Sequence, residues 1–157
     1  MKTDSIKIVP LTKTTFEDAV QVVLNAKLDT RVEVEHHLTH TEANFIAKDG
    51  EKVIGVIGWY QDKEDWATEA MGHRFPGTEV YWVGFFAVDQ KYRGRGIGSK
   101  LLNYIEEKLK SKGETELWVS SVPKTKSYYQ MHGFKTVMTG KIHNNPKVFM
   151  VKLLSSN

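Results

Sequence analysis

The 157-residue chain contains no cysteine. That absence excludes a disulfide framework, a thiolate zinc site and a cysteine nucleophile. No Pro, Gly or Ser-rich stretch divides the sequence into compositional halves, so a single domain over residues 1–157 is expected. Apolar runs approaching the roughly 20 residues of a membrane span are also missing, and Met1 to Pro10 is too polar for a signal peptide. From these two absences we expect no membrane association and a cytoplasmic location. The six histidines are scattered. His36 and His37 are adjacent and His40 follows, without the helix-spaced His-Glu-x-x-His pattern of a catalytic zinc site, so no metal is expected.

Charge of one sign is scarce too. A formal net charge of +3 and a pI near 9.0 come from Lys and Arg interleaved with Glu and Asp along most of the chain. That balance names no polyanion partner, and no nucleic acid is expected. What is present, 40% hydrophobic and 26% charged residues, is the composition of a globule that buries Val, Ile, Leu, Phe and Trp without metals or disulfides.

Along the chain, Ile6 to Pro10 alternates as a first or edge strand. Thr14 or Thr15 then precedes a helix with apolar positions Phe16, Ala19, Val20, Val23 and Leu24. Thr30 to Thr39 carries a weak helical pattern and reads as a short second helix, with a loop as the alternative. Asn44 to Lys48 and Lys52 to Gln61 flank Asp49-Gly50, a strong hairpin signal. Asp62 to Thr78 is charged and broken by Gly72, Pro76 and Gly77, with a helical turn or two over Glu64 to Met71. A connection so long is functional or mobile, and Trp66, Met71, His73 and Phe75 would suit a lid.

Val80 to Val88 is apolar at nearly every position, which predicts a central strand buried on both faces, with Gly84 hinting at a bulge. Ile97, Leu101, Ile105 and Leu109, with Leu102, mark one side of an amphipathic helix stopped at Gly113. Lys100, Asn103, Glu106, Glu107, Lys108 and Lys110 take the side expected to be solvated. A strand from Glu116 to Val122 ends at Pro123, and Thr125 to His132 reads as a short helix with Gly133 past its end. Two strands, Phe134 to Met138 and Lys147 to Leu154, close the chain through Gly140, Asn144, Asn145 and Pro146.

The most informative segment is the turn Tyr92-Arg93-Gly94-Arg95-Gly96-Ile97-Gly98-Ser99-Lys100. The first N–H groups of a helix have no intrahelical acceptor, glycines let a ligand approach the backbone, and the helix dipole favours an anion. Arg93 and Arg95 add positive charge, so a phosphate or pyrophosphate is the natural guest. A Walker loop needs glycine directly before its Lys-Ser or Lys-Thr, and Ser99 precedes Lys100 here. A dinucleotide-binding fingerprint would need glycine at Ser99, or Gly or Ala at Leu101. Neither pattern fits.

Arg93-x-x-Gly96-x-Gly98 closely resembles the pyrophosphate loop of the GNAT superfamily of N-acetyltransferases. Phe86-Ala87-Val88-Asp89 stands where that family's strand end runs beside the pantetheine arm, and Ile97-Gly98-Ser99-Lys100-Leu101-Leu102 looks like its helix opening. Tyr128-Tyr129-Gln130-Met131-His132-Gly133-Phe134 is similar to the family's second signature. Val122 and Thr125 depart from it, standing where Asn and a small Ala are frequent. The resemblance covers Val80 to Gly113 and Glu116 to Phe134, and the earlier half only by order of elements.

The resemblance implies an α/β (α+β) fold with a mixed, mostly antiparallel central sheet of about six to seven strands flanked by about four helices. It implies acetyl-CoA as co-substrate, bound through Phe86, Ala87, Val88, Arg93, Gly94, Arg95, Gly96, Ile97, Gly98 and Ser99. The reaction implied is direct attack of a primary amine of a small molecule or peptide on the thioester in a ternary complex. Tyr129 takes the role of returning a proton to the departing thiolate, and the Val88 N–H that of donor to the thioester oxygen. Glu79, with Tyr81, His73 or water as alternatives, is the candidate base. A non-catalytic acyl-CoA-binding regulatory module is the alternative function, and a homodimer is left open.

Overall fold

Alternation in Ile6–Pro10 produces strand β1, which pairs antiparallel with β2 (Asn44–Asp49) from Ile6 opposite Asp49 to Pro10 opposite Phe45. The computed structural model describes residues 5–155. Within these, β2 turns through Gly50, at φ +61°, into β3 (Lys52–Tyr60), the antiparallel hairpin that Asp49-Gly50 predicts. The remaining strands are β4 (Tyr81–Val88), β5 (Glu116–Ser121), β6 (Lys135–Ile142) and β7 (Asn145–Leu153). The seven form one sheet in the order β1-β2-β3-β4-β5-β7-β6. It is mixed and mostly antiparallel, with β4 and β5 parallel where Tyr81 and Trp82 face Leu117 and Trp118.

The chain divides into two units, one running to Trp59 and including Gly84–Ile105, the other comprising Tyr60–Val83 and the chain from Glu106 onward. In the first, helix α1 (Phe16–Asn25) buries Ala19, Val20, Val22 and Val23. Thr15 occupies the N-cap position, but its hydroxyl accepts the Thr12 N–H at 3.1 Å and does not cap the helix. The weakly patterned segment is a helix, α2 (Arg31–Leu38), because Thr30 accepts the Glu33 N–H and Val34 and Leu38 are buried. Its far end is closed by buried Asn44, whose side chain donates to the carbonyls of His37 (3.0 Å) and His40 (2.9 Å). These helices share a core with Leu11, Ile46, Val56 and Ala87.

Burial of β4 is uneven. Trp82 and Val83 are buried, whereas from Gly84 onward only Ala87 is. A Cβ on Gly84 would lie 3.2 Å from the backbone carbon of Gly58, so this glycine permits close strand approach. Helix α4 (Ile97–Ser111) buries Ile97, Leu101, Leu102, Ile105 and Leu109 as its period requires. Glu106 departs from the expected solvated side: it is buried and paired with Lys152. The helix ends through Gly113 at φ +86°, with the Glu114 N–H returning to the Leu109 carbonyl at 2.9 Å.

In the second unit, part of the long connection is packed. Asp62, 1% exposed, accepts the N–H groups of Glu64 (3.3 Å), Trp66 (3.1 Å) and Ala67 (2.7 Å). That loop launches the short helix α3 (Thr68–Met71), and Ala67 and Met71 join Trp82, Trp118 and Phe149 in an aromatic core. With α5 (Lys126–Met131), preceded by a 3₁₀ turn over Pro123–Thr125, there are five α-helices among the described residues, α3 being the short helical turn expected within Glu64 to Met71. The β6–β7 turn is His143 and Asn144, at φ +49° and +69°. Asn145 and Pro146, expected in the connection, are the first residues of β7 and pair with Ile142 and Lys141.

Candidate functional site

The site that the sequence singles out begins where β4 ends. Asp89 sends its N–H to the Ile54 carbonyl at 2.7 Å, and its carboxylate accepts the Lys91 N–H at 2.9 Å, starting a 3₁₀ turn over Gln90–Tyr92. Arg93 then donates from Nε to the Val88 carbonyl at 3.1 Å. Gly94 and Gly96 follow at φ +78° and +79°, a region that suits glycine, and a Cβ at either would meet nothing within 4 Å. The two glycines therefore serve the backbone conformation and leave the turn open above it.

At Ile97 the chain enters α4. The Ile97 side chain is 1% exposed and anchors the helix start, and the first helical bond runs from the Lys100 N–H to the Gly96 carbonyl at 3.1 Å. The first turn of a 15-residue helix thus presents its N–H groups and the positive end of its dipole beside two arginines. Arg93 and Arg95 are exposed, while Gly98 and Ser99 are half-buried. A helix start of this kind suits an anion. Of the strand-end residues, Phe86 and Val88 are partly exposed and Ala87 is buried.

Tyr129, from the second unit, lies on α5 and is buried, its ring set edge-on to Phe134 (5.3 Å, 74°) and Tyr128 (5.5 Å, 88°). Its backbone carbonyl accepts the N–H groups of His132 and Phe134, each at 3.0 Å, so the Gly133 turn fixes the helix end against that ring. Burial, with a smaller contribution from Tyr128, pushes the Tyr129 hydroxyl above its ordinary value, so it stays protonated. Tyr128 packs on His132 at 4.3 Å, and His132 Nδ1 meets the Tyr128 carbonyl at 2.8 Å.

Glu79 lies in the turn before β4 and is exposed, while its carbonyl accepts from the Gln61 side chain at 2.9 Å. His73 is exposed in the 3₁₀ turn after α3, and half-buried Tyr81 has the Lys112 ammonium 5.8 Å from its ring centre. Sequence reasoning missed a set of residues bracing the glycine turn. The Tyr92 hydroxyl donates to Asp49 at 3.0 Å, and Lys52 stands 3.9 Å from Asp89. Nothing local signals either contact, since each partner lies across some forty residues of sequence. Among the described residues no cluster of His, Asp or Glu suits a metal ion, and no helix is long and apolar enough to cross a membrane.

The sequence profile of the acetyltransferase (GNAT) family matches residues 10–134. The S-alkylcysteine N-acetyltransferase of Bacillus subtilis is 28% identical over 109 residues, covering 68% of this chain and 56% of that protein. An acetyltransferase of Photorhabdus laumondii is 32% identical over 105 residues, covering 62% of this chain and 62% of that protein. The chain thus matches less than two thirds of the length of either relative. An aminoglycoside 6′-N-acetyltransferase complexed with coenzyme A shares the fold, with a TM-score of 0.71 at 16% identity over 96% of this chain and 98% of that one.

Proposed function

The chain belongs to the acetyltransferase (GNAT) family, and from that premise we propose that it transfers an acetyl group from acetyl-CoA to a primary amine of a small molecule or peptide. The observation that carries this reading is the turn from Arg93 to Ser99. Two positive-φ glycines with open space above them lead into a long helix flanked by two arginines, which suits a pyrophosphate. Coenzyme A in a structural neighbour of the same fold supports the same assignment.

In this reading the amine attacks the thioester carbonyl, the carbon–sulfur bond breaks, and the coenzyme leaves as its thiolate. We assign the N–H of Val88 to the negative charge that develops on the thioester oxygen. Phe86, Ala87 and Val88 supply the strand end along which the pantetheine arm is held. An alkylammonium has a pKa of about 10.4, so at neutral pH a proton must leave before attack. Glu79, exposed and solvated, is the carboxylate assigned to accept it, directly or through water. Tyr129, kept protonated by burial, returns a proton to the thiolate.

The name of the Bacillus relative makes an S-alkylated amino acid the first acceptor amine to try. Calorimetric titration with acetyl-CoA, followed by thiol-release assays on S-alkylcysteines, polyamines, aminoglycosides and peptides, tests the proposal. Amine-dependent thiol release is the expected result, reduced about 10-fold or more by Glu79→Gln. Coenzyme binding with no release for any amine would favour an acyl-CoA-binding regulatory module. No coenzyme binding at all would overturn the reading.

A further inference from the structure

A Cβ built on Gly94 or Gly96 in the turn would meet no atom within 4 Å outside the adjoining residues, and both glycines are intrinsically permissive. The backbone N–H groups of the turn must therefore be aimed from the flanks. On the helix side the anchor is buried Ile97. On the strand side it is Tyr92, whose hydroxyl donates to Asp49 Oδ2 at 3.0 Å. Asp49 stands at the corner of the β2–β3 hairpin, paired with both Ile6 and Lys52, a place fixed by two strand ladders.

The Tyr92 ring also gathers charge. The Lys52 ammonium is 5.2 Å and the Arg95 guanidinium 5.3 Å from its centre. Arg95 belongs to the turn itself, so the ring holds one of its cations while the hydroxyl holds its backbone. Asp89, tied to Ile54 through its N–H and facing Lys52 at 3.9 Å, secures the same flank.

We propose that Tyr92 is a positioning residue which, through Asp49, latches the coenzyme-binding turn to the β2–β3 hairpin. This rests on the functional reading above, in which the turn carries the pyrophosphate. The latch makes no contact with the reacting atoms. Its loss loosens the turn, so affinity for the coenzyme falls while the chemical step of the bound complex is untouched.

Tyr92→Phe removes one oxygen and keeps the ring beneath Arg95 and Lys52. The expected result is an acetyl-CoA dissociation constant and KM raised about 3- to 10-fold, the scale of one charge-assisted hydrogen bond partly expressed in binding. kcat at saturating coenzyme and the melting temperature without coenzyme stay near wild type. Asp49→Ala weakens binding by a similar factor, Tyr92→Phe with Asp49→Ala weakens it no further, and Asp49→Asn, which keeps an acceptor oxygen, recovers most of the loss. An unchanged dissociation constant in Tyr92→Phe, additive losses in the double variant, or a lowered melting temperature with unaltered affinity would each overturn the latch. Wild-type protein that fails to bind acetyl-CoA would instead overturn the functional reading.

Discussion

Lys152 on β7 donates to Glu106 on α4 at 2.9 Å, in a place where the Glu106 side chain is only 7% exposed. The second carboxylate oxygen of Glu106 is buried with no hydrogen-bond partner among the described residues. The pair therefore carries a desolvation cost that only the lysine offsets. Lys152→Met leaves an uncompensated buried carboxylate and is expected to destabilise the fold by about 3 kcal/mol. Glu106→Leu with Lys152→Met should recover most of that, because no charge is then buried. Urea unfolding of the three proteins checks both statements, and a Lys152→Met midpoint equal to wild type would remove the argument.

The same pair shows where sequence reading stops. The spacing of Ile97, Leu101, Ile105 and Leu109 makes α4 legible because helix period is a local property. Glu106 falls on the polar side of that wheel, and its burial depends on a lysine 46 residues away. Asp62 is alike: its charge suggests a solvated loop, yet three backbone N–H groups turn inward onto it. The conformation of the glycine turn was legible since its glycines and the start of α4 lie within one short segment. The Tyr92–Asp49 contact was not, because the hairpin and the turn meet only once the sheet is built. Tyr129 was singled out by motif resemblance, but the raised pKa of its hydroxyl arises from packing that no spacing reports.

Gly96 carries the sharpest prediction for the turn. At φ +79° any L-residue is strained by about 1 kcal/mol, and open space means that a larger side chain is not expelled by clash with the protein. Gly96→Glu places a carboxylate where an anion should bind, so the protein should fold while acetyl-CoA affinity falls by at least about 10-fold, the equivalent of about 1.4 kcal/mol. Titration calorimetry with circular dichroism as the folding control decides it. Unaltered affinity would sink the assignment of this turn.

His37 predicts how stability depends on acid. Its half-buried ring lies edge-on to Phe85 at 5.2 Å, and burial first, then repulsion from His36, lower its pKa below the ordinary 6.5. His40 acts in the same direction, while Glu33 and Asp29 oppose it. Because the unfolded chain then holds the proton more tightly than the folded one, the contribution of neutral His37 is complete above the unfolded value. It is lost as pH falls below 6.5 and through the folded pKa. Thermal melts between about pH 7 and 5 should show a steeper decline for wild type than for His37→Gln. Parallel curves would show that the imidazole is not the group responsible.

Tyr129 joins packing to chemistry, and the two separate cleanly. Tyr129→Phe keeps the ring against Phe134 and removes only the hydroxyl, so fold and coenzyme affinity should persist. Turnover should fall about 100-fold if the hydroxyl is the proton donor to the leaving thiolate. Its pKa is raised, chiefly by burial, above the ordinary value of 10. The donor form is therefore present throughout the neutral and mildly alkaline range and disappears only as pH rises through that elevated value. An alkaline decline of kcat below about pH 10 must then belong to another group, and the Tyr129→Phe variant should retain that decline at its lower rate. Wild-type turnover in Tyr129→Phe, measured at saturating coenzyme, would take the acid role away from this residue.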